Sequence, residues 1–107
     1  MTVLIHETYV VKPENQKKFM ELWKRIPELI KKNPKMFTEV RSLKLYTQIF
    51  GGISGAYVEL VEYDSLADYE KLLERLFKDE EFMKFYQEIT SLVESGMSTT
   101  NIWKPVP

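Results

Sequence analysis

Apolar and polar positions along this chain alternate between a period of two and a period near 3.6, and each switch marks an element. Thr2–Val11 (TVLIHETYVV) is rich in β-formers and predicts a first strand. Lys12-Pro13-Glu14 opens a helix, since Pro is tolerated in a first turn. Phe19, Leu22, Trp23, Ile26, Leu29 and Ile30 then form one apolar stripe, which Pro27 bends or splits and Asn33-Pro34 ends. Phe37–Phe50 predicts a long second strand, and Gly51–Gly55 a hairpin turn. Tyr57–Val61 reads as a half-buried third strand. Ser65 then caps a second helix, with Asp68 three residues on and Leu66, Tyr69, Leu72, Leu73, Leu76 and Phe77 along one face. Lys78–Glu81 interrupts this helix. Phe82, Phe85, Tyr86, Ile89, Leu92 and Val93 continue its stripe, and Gly96 closes it. Ser98–Lys104 predicts a final strand, stopped by Pro105 and Pro107.

The order β-α-β-β-α-β is that of a ferredoxin-like α+β domain spanning residues 1–107, a four-stranded antiparallel sheet with helices on one face. A chain of 107 residues is long enough to bury its own core. Net charge is −1, which argues against nonspecific attachment to nucleic acid or anionic membrane. There is no cysteine, so neither disulfides nor thiolate chemistry is available. With no signal peptide or long apolar run, a cytoplasmic protein is the expectation.

The uncovered sheet face bears most on function. With Gly51–Ser54 as a four-residue turn, Leu45 and Thr47 pair with Leu60 and Val58 towards the helices. Lys44, Tyr46 and Gln48 then face Val61, Glu59 and Tyr57 on the other side. An unpaired Glu beneath two helices is costly, which puts Glu7 and Tyr9 on the uncovered face and His6 and Thr8 towards the helices. Asn101 and Trp103 join the uncovered face from the last strand. Such an aromatic and aliphatic surface calls for a cover, and a second copy packed by two-fold symmetry supplies one.

Tyr9–Pro13, Phe19 and Trp23, the Gly-rich hairpin, Val61–Glu70 (VEYDSLADYE) and Asp79–Phe82 together resemble the dimeric α/β-barrel superfamily over nearly the whole chain. The nearest branch is NIPSNAP-like, followed by the antibiotic-biosynthesis-monooxygenase branch. The resemblance implies a homodimer with any ligand site in the cleft between sheet and helices. Haem-degrading relatives carry an Asn on strand one and a Trp and a His on helix two. The matching positions here are Glu7, Leu76 and Tyr86, which depart from that pattern, and no cofactor is expected.

The candidate chemistry is sparse. Glu7 and Glu59 can act as an acid–base pair if their environments separate their pKa values; the plainer roles are that Lys44 or Arg41 pairs with one of them or that both are solvated at the cavity mouth. His6, the only histidine, is a candidate general base or axial haem ligand, or an ordinary strand residue. Tyr9, Tyr46, Tyr57, Tyr86 and Trp103 are candidate ligand contacts, with dimer packing the plainer role for the strand tyrosines. Without further His or Cys, no metal site is expected. Ala56–Leu60 echoes an RNA-recognition strand, but Ile53 replaces its basic residue and Glu59 repels phosphate. The leading expectation is a homodimer binding a small, largely apolar molecule in a cavity that includes Glu7, Tyr9, Tyr46, Tyr57 and Glu59. The alternatives are a cofactor-independent monooxygenase or isomerase, with Glu7 or Glu59 as base and His6 or a tyrosine as proton donor, and a purely structural dimer.

Overall fold

The alternation of Val3, Ile5, Glu7 and Tyr9 sets the phase of strand β1 (Val3–Val10), which lies inside the sheet. The computed structural model describes residues 2–107. After β1, a 3-10 turn (Pro13–Asn15) leads into helices α1 (Gln16–Trp23) and α2 (Ile26–Lys32). Strands β2 (Ser42–Thr47) and β3 (Ala56–Tyr63) form the hairpin. Helices α3 (Leu66–Phe77) and α4 (Glu80–Thr90) follow, then strand β4 (Thr99–Trp103). The spatial order is β2-β3-β1-β4, with every neighbouring pair antiparallel. The fold is ferredoxin-like α+β, with each of the two expected helices divided in two.

Local chemistry explains both divisions. Pro27 lies in the first turn of α2, where its missing N–H costs least, and the chain bends through Lys24 and Arg25 just before it. Asp79 ends the gap between α3 and α4 as an N-cap, its Oδ2 accepting from the Phe82 N–H at 2.7 Å. Ser65 caps α3 in the same way, accepting from the Asp68 N–H at 3.2 Å. Helix α4 ends at Thr90, ahead of the expected stop at Gly96, because Val93 turns away to bridge Val11.

The second strand is much shorter than Phe37–Phe50. Residues 34–39 form turns, and Met36, Phe37 and Val40 pack against the core from outside the sheet. Beyond Thr47 the side chains of Ile49 and Phe50 project into solvent.

The hairpin register also differs by one residue from the expected one. Leu45 pairs with Glu59 and Thr47 with Tyr57, and the Gln48 N–H donates to the Ala56 carbonyl at 3.2 Å. The connection beyond that bond is therefore longer than a four-residue turn. One step of slip exchanges the two faces of β3 relative to β2. Val3, Ile5, Glu7 and Tyr9 share the helix side with Tyr57, Glu59, Val61 and Tyr63. His6 and Thr8 lie on the uncovered face with Val58 and Leu60. The expected placements of Glu7, Tyr9, His6, Thr8, Tyr57 and Glu59 are thus each reversed.

The core has two centres. Phe19, Leu22, Trp23, Tyr57, Ile89 and Leu92 gather beneath α1, while Val3, Ile5, Val61, Tyr63, Leu72 and Leu76 gather beneath α3. Phe19 is fully buried, with ring centroids 4.6 Å from Tyr57 and 5.2 Å from Trp23. Gly55 holds the hairpin against the end of β1. Its φ is +82°, its carbonyl accepts from the Val11 N–H at 2.9 Å, and a Cβ there would lie 2.7 Å from the Val11 carbonyl oxygen. Among the described residues, no helix is long and apolar enough to cross a membrane.

Candidate functional site

Between the two core centres the sheet carries Glu7 and Glu59, paired directly across β1 and β3. Ile5 and Val61 flank the pair on one side, Tyr9 and Tyr57 on the other. The helices pack over those flanks and leave a cleft of about 310 Å³ above the carboxylates. Its floor is Glu7, Tyr9, Glu59, Val61 and Tyr63 from the sheet, with Thr100 at the edge. Trp23, Ile26, Leu72, Phe82, Phe85 and Tyr86 build its helical walls, and Phe37 and Val40 close the remaining side. The walls are almost wholly apolar, and the polar atoms converge on one region of the floor.

Among the described residues, no basic side chain lines this cleft. Arg41 instead pairs with Asp64 at 2.8 Å on the surface, and Lys44 is exposed on the uncovered face. Neither expected counter-ion therefore reaches the glutamates. Both are half-buried, and the surface they keep lines the cleft. Burial, reinforced by the Glu7 charge opposite, pushes the Glu59 carboxyl up to about 8. The Tyr9 hydroxyl donates to Glu7 Oε2 at 2.5 Å. Burial, then Glu7 and Glu59, raise Tyr9 far above the usual phenol range, so it stays a neutral donor. Tyr63 and Tyr69 are raised too, chiefly by burial with the glutamates adding to it. Trp23 Nε1, buried in the same wall, has no acceptor among the described residues.

Of the residues singled out in the sequence, Glu7, Tyr9, Glu59 and Tyr86 meet in this cleft. The others do not. Tyr57 faces the helices but is core, packed near Phe19 and Trp23 with its hydroxyl donating to Gln16 Oε1 at 2.7 Å. His6, Tyr46 and Trp103 lie on the uncovered side of the sheet. His6 packs edge-on against Trp103 with ring centroids 6.2 Å apart, and its Nδ1 is buried without a partner among the described residues. The sheet separates it from both glutamates, so it cannot share their chemistry. Tyr63, Tyr69, Thr100 and Trp23 enter the cleft without having been singled out for it. The in-phase run Val3-Ile5-Glu7-Tyr9, apolar at the end nearest the α3 core, was the signal that placed this side inward. Among the described residues, no group of three or more His, Cys, Asp or Glu is arranged to hold a metal ion.

A family model described as NIPSNAP matches residues 6–107. No curated protein matches the chain. Among solved structures, it is similar to a NIPSNAP family protein of Agrobacterium tumefaciens, with TM-score 0.77 and 17% identity over 98% of this chain and 86% of that one. An uncharacterized NIPSNAP domain protein of Burkholderia xenovorans gives TM-score 0.76 and 19% identity over 97% and 94% of the two chains. SnoaB, a cofactor-independent oxygenase of Streptomyces nogalater, gives TM-score 0.68 and 12% identity over 97% and 92%. At these identities the likeness of structure speaks for the fold alone.

Proposed function

The chain belongs to the NIPSNAP family, and we propose that it binds a small, largely apolar molecule in the cleft between its sheet and helices. One observation carries this reading: an apolar cleft of about 310 Å³ whose polar atoms converge on Glu7, Tyr9 and Glu59. Concave sites of this kind hold the body of a ligand by burial and orient it through a few polar groups. Binding only to the folded state raises the melting temperature. A panel of small apolar compounds is expected to contain members that do so, and Leu73→Trp, which adds bulk to a partly buried position on the cleft wall, is expected to abolish the shift. If no compound of the panel stabilises the native chain, or the filled variant responds equally, the cleft is not a ligand site.

A second reading is favoured by Glu59. A carboxyl titrating near 8 beside a substrate serves as a general base once ionised, taking a proton from a carbon next to a carbonyl. This is the chemistry of a cofactor-independent isomerase or oxygenase. The two readings separate by pH. Catalysis by ionised Glu59 rises towards a plateau above about pH 8, whereas burial of an apolar ligand body produces no such rise in turnover. Turnover that is flat across this range, or unchanged in Glu59→Gln, excludes Glu59 as the base.

The functional unit in this proposal is a homodimer joined through the uncovered face. Tyr46 is 47% exposed and Trp103 52% exposed there, beside Val58, Leu60 and His6. An aromatic surface of this composition favours a two-fold partner of the same kind. Native mass spectrometry is expected to give a dimer that Leu60→Glu dissociates. A stable monomer of the unaltered chain overturns the assembly.

A further inference from the structure

Taking the cleft as a ligand site, we infer that its preferred ligand is an amphiphilic cation, a small alkyl- or arylammonium with its nitrogen over the Glu7–Glu59 pair and its apolar body against the helices.

The distribution of charge favours a cation. Among the described residues, the two carboxylates are the only side chains of the acidic or basic types on the lining. From β1 come Glu7 and the Tyr9 hydroxyl, from β3 Glu59 and Tyr63, from α3 Tyr69 and from α4 Tyr86. Helices α1 and α2 present Trp23, Ile26, Leu29 and Ile30, and β2 presents Leu43. Nearby arginines are engaged elsewhere. Arg41 holds Asp64, Arg75 holds Glu39 at 2.7 Å, and Arg25 lies 5.4 Å above the Phe85 ring. With both carboxyls ionised, like charges directly opposite across two strands would destabilise the sheet. A bound cation offsets that repulsion, and a carboxylate ligand adds to it.

Unused hydrogen-bonding capacity points the same way. Tyr9 satisfies Glu7 Oε2, while Glu7 Oε1 and both Glu59 oxygens accept no hydrogen bond from the described residues. Once Glu59 is ionised these are three free acceptors on the cleft lining, and a primary ammonium carries three N–H donors. Charge-assisted bonds of this kind are the strong ones in a poorly solvated site. Around them stand Trp23, Tyr63, Tyr69 and Tyr86, whose ring faces attract cations.

The proton balance follows from the state of Glu59. Near pH 7 burial keeps that carboxyl largely protonated. Capture of an ammonium ion therefore gives the ammonium–carboxylate pair plus one proton released to solvent, and no other bond changes. A neutral ligand releases none.

Isothermal titration calorimetry of the full chain near pH 7 tests this, using n-hexylamine, n-hexanol and hexanoate in phosphate and in Tris. Hexylamine is expected to bind about tenfold more tightly than hexanol, or better. Its buffer-dependent heat should report about one proton released per ligand. Hexanoate should not bind. Glu59→Gln, close in shape and uncharged, should lose both the amine preference and the proton release. Equal binding of hexanol and hexylamine, or tighter binding of hexanoate, overturns the cation inference while leaving the cleft as a ligand site. If none of the three binds, the cleft reading falls with it.

Discussion

Glu7 and Glu59 are cross-strand partners on β1 and β3, and they occupy the seam where the two halves of the core fail to meet. A sheet position covered by helices normally holds an apolar side chain, because an uncompensated carboxylate there is costly. Here the cost is expressed as a shifted titration rather than as an ion pair. Glu59 keeps its proton, and Glu7 takes a hydrogen bond from Tyr9.

That shift makes stability depend on pH in an unusual direction. The folded-state value of Glu59 is about 8, above the ordinary carboxyl value of 4.5. Between those values the unfolded chain ionises Glu59 while the folded chain keeps the proton. Stability is therefore highest below about pH 4.5 as far as this group is concerned, falls as pH rises through 8, and levels off above. Glu59→Gln should be stabilising relative to the native chain by a few kcal/mol near pH 9 and by almost nothing near pH 4. Urea denaturation of both proteins at the two pH values checks it, and a difference independent of pH contradicts it.

The opposite behaviour is expected at the edge of the cleft. Arg75 grips Glu39 through both guanidinium amines, at 2.8 and 2.7 Å, and also donates to the Met36 carbonyl at 2.7 Å. This ties the turn carrying Phe37 and Val40 to α3. The Arg75 hydrogen bonds hold the Glu39 carboxyl down to about 2. Its stabilisation is present above the ordinary carboxyl value and is lost as pH falls from about 4.5 to 2. Because Arg75 remains 38% exposed, solvent screens the pair, and Arg75→Ala should cost only a little stability near pH 7. Denaturation melts should show that difference shrinking near pH 2, with hydrogen exchange faster at Met36–Val40 in the variant.

Gly55 is the hairpin position least tolerant of a side chain. Gly55→Ala meets both a positive φ and the Val11 carbonyl oxygen, and should cost about 1–3 kcal/mol. Gly51→Ala meets the backbone strain alone, since nothing lies within 4 Å of where its Cβ would stand, and should cost less. Thermal melts of the two variants test the order, and equal destabilisation removes the role given to the Val11 contact.

The features legible in the sequence were those determined within a few residues. Pro27 splitting the first helix, Ser65 capping α3 and a break near Asp79 are local chemistry, and the structure has all three. The order of strands and helices was likewise readable from periodicity. Register was not, because a Gly-rich connection permits several loop lengths and a single step reverses a face. A glutamate is driven from the helix side only where packing above the sheet is continuous. Glu7 and Glu59 escape that constraint because the helices leave a cleft where they stand. No local pattern reveals such a gap, which depends on how α1 and α3 sit on separate core centres.

The most direct test of this account is a carbon-13 NMR titration of the Glu59 side-chain carboxyl in the intact protein. Burial predicts a midpoint near 8, moving down in Glu7→Gln because the opposing charge is gone. A midpoint between about 4 and 5 would mean that Glu59 is freely solvated. Glu59 would then not hold its proton at neutral pH, and the readings of it as a neutral donor and as a base titrating near 8 would both fail.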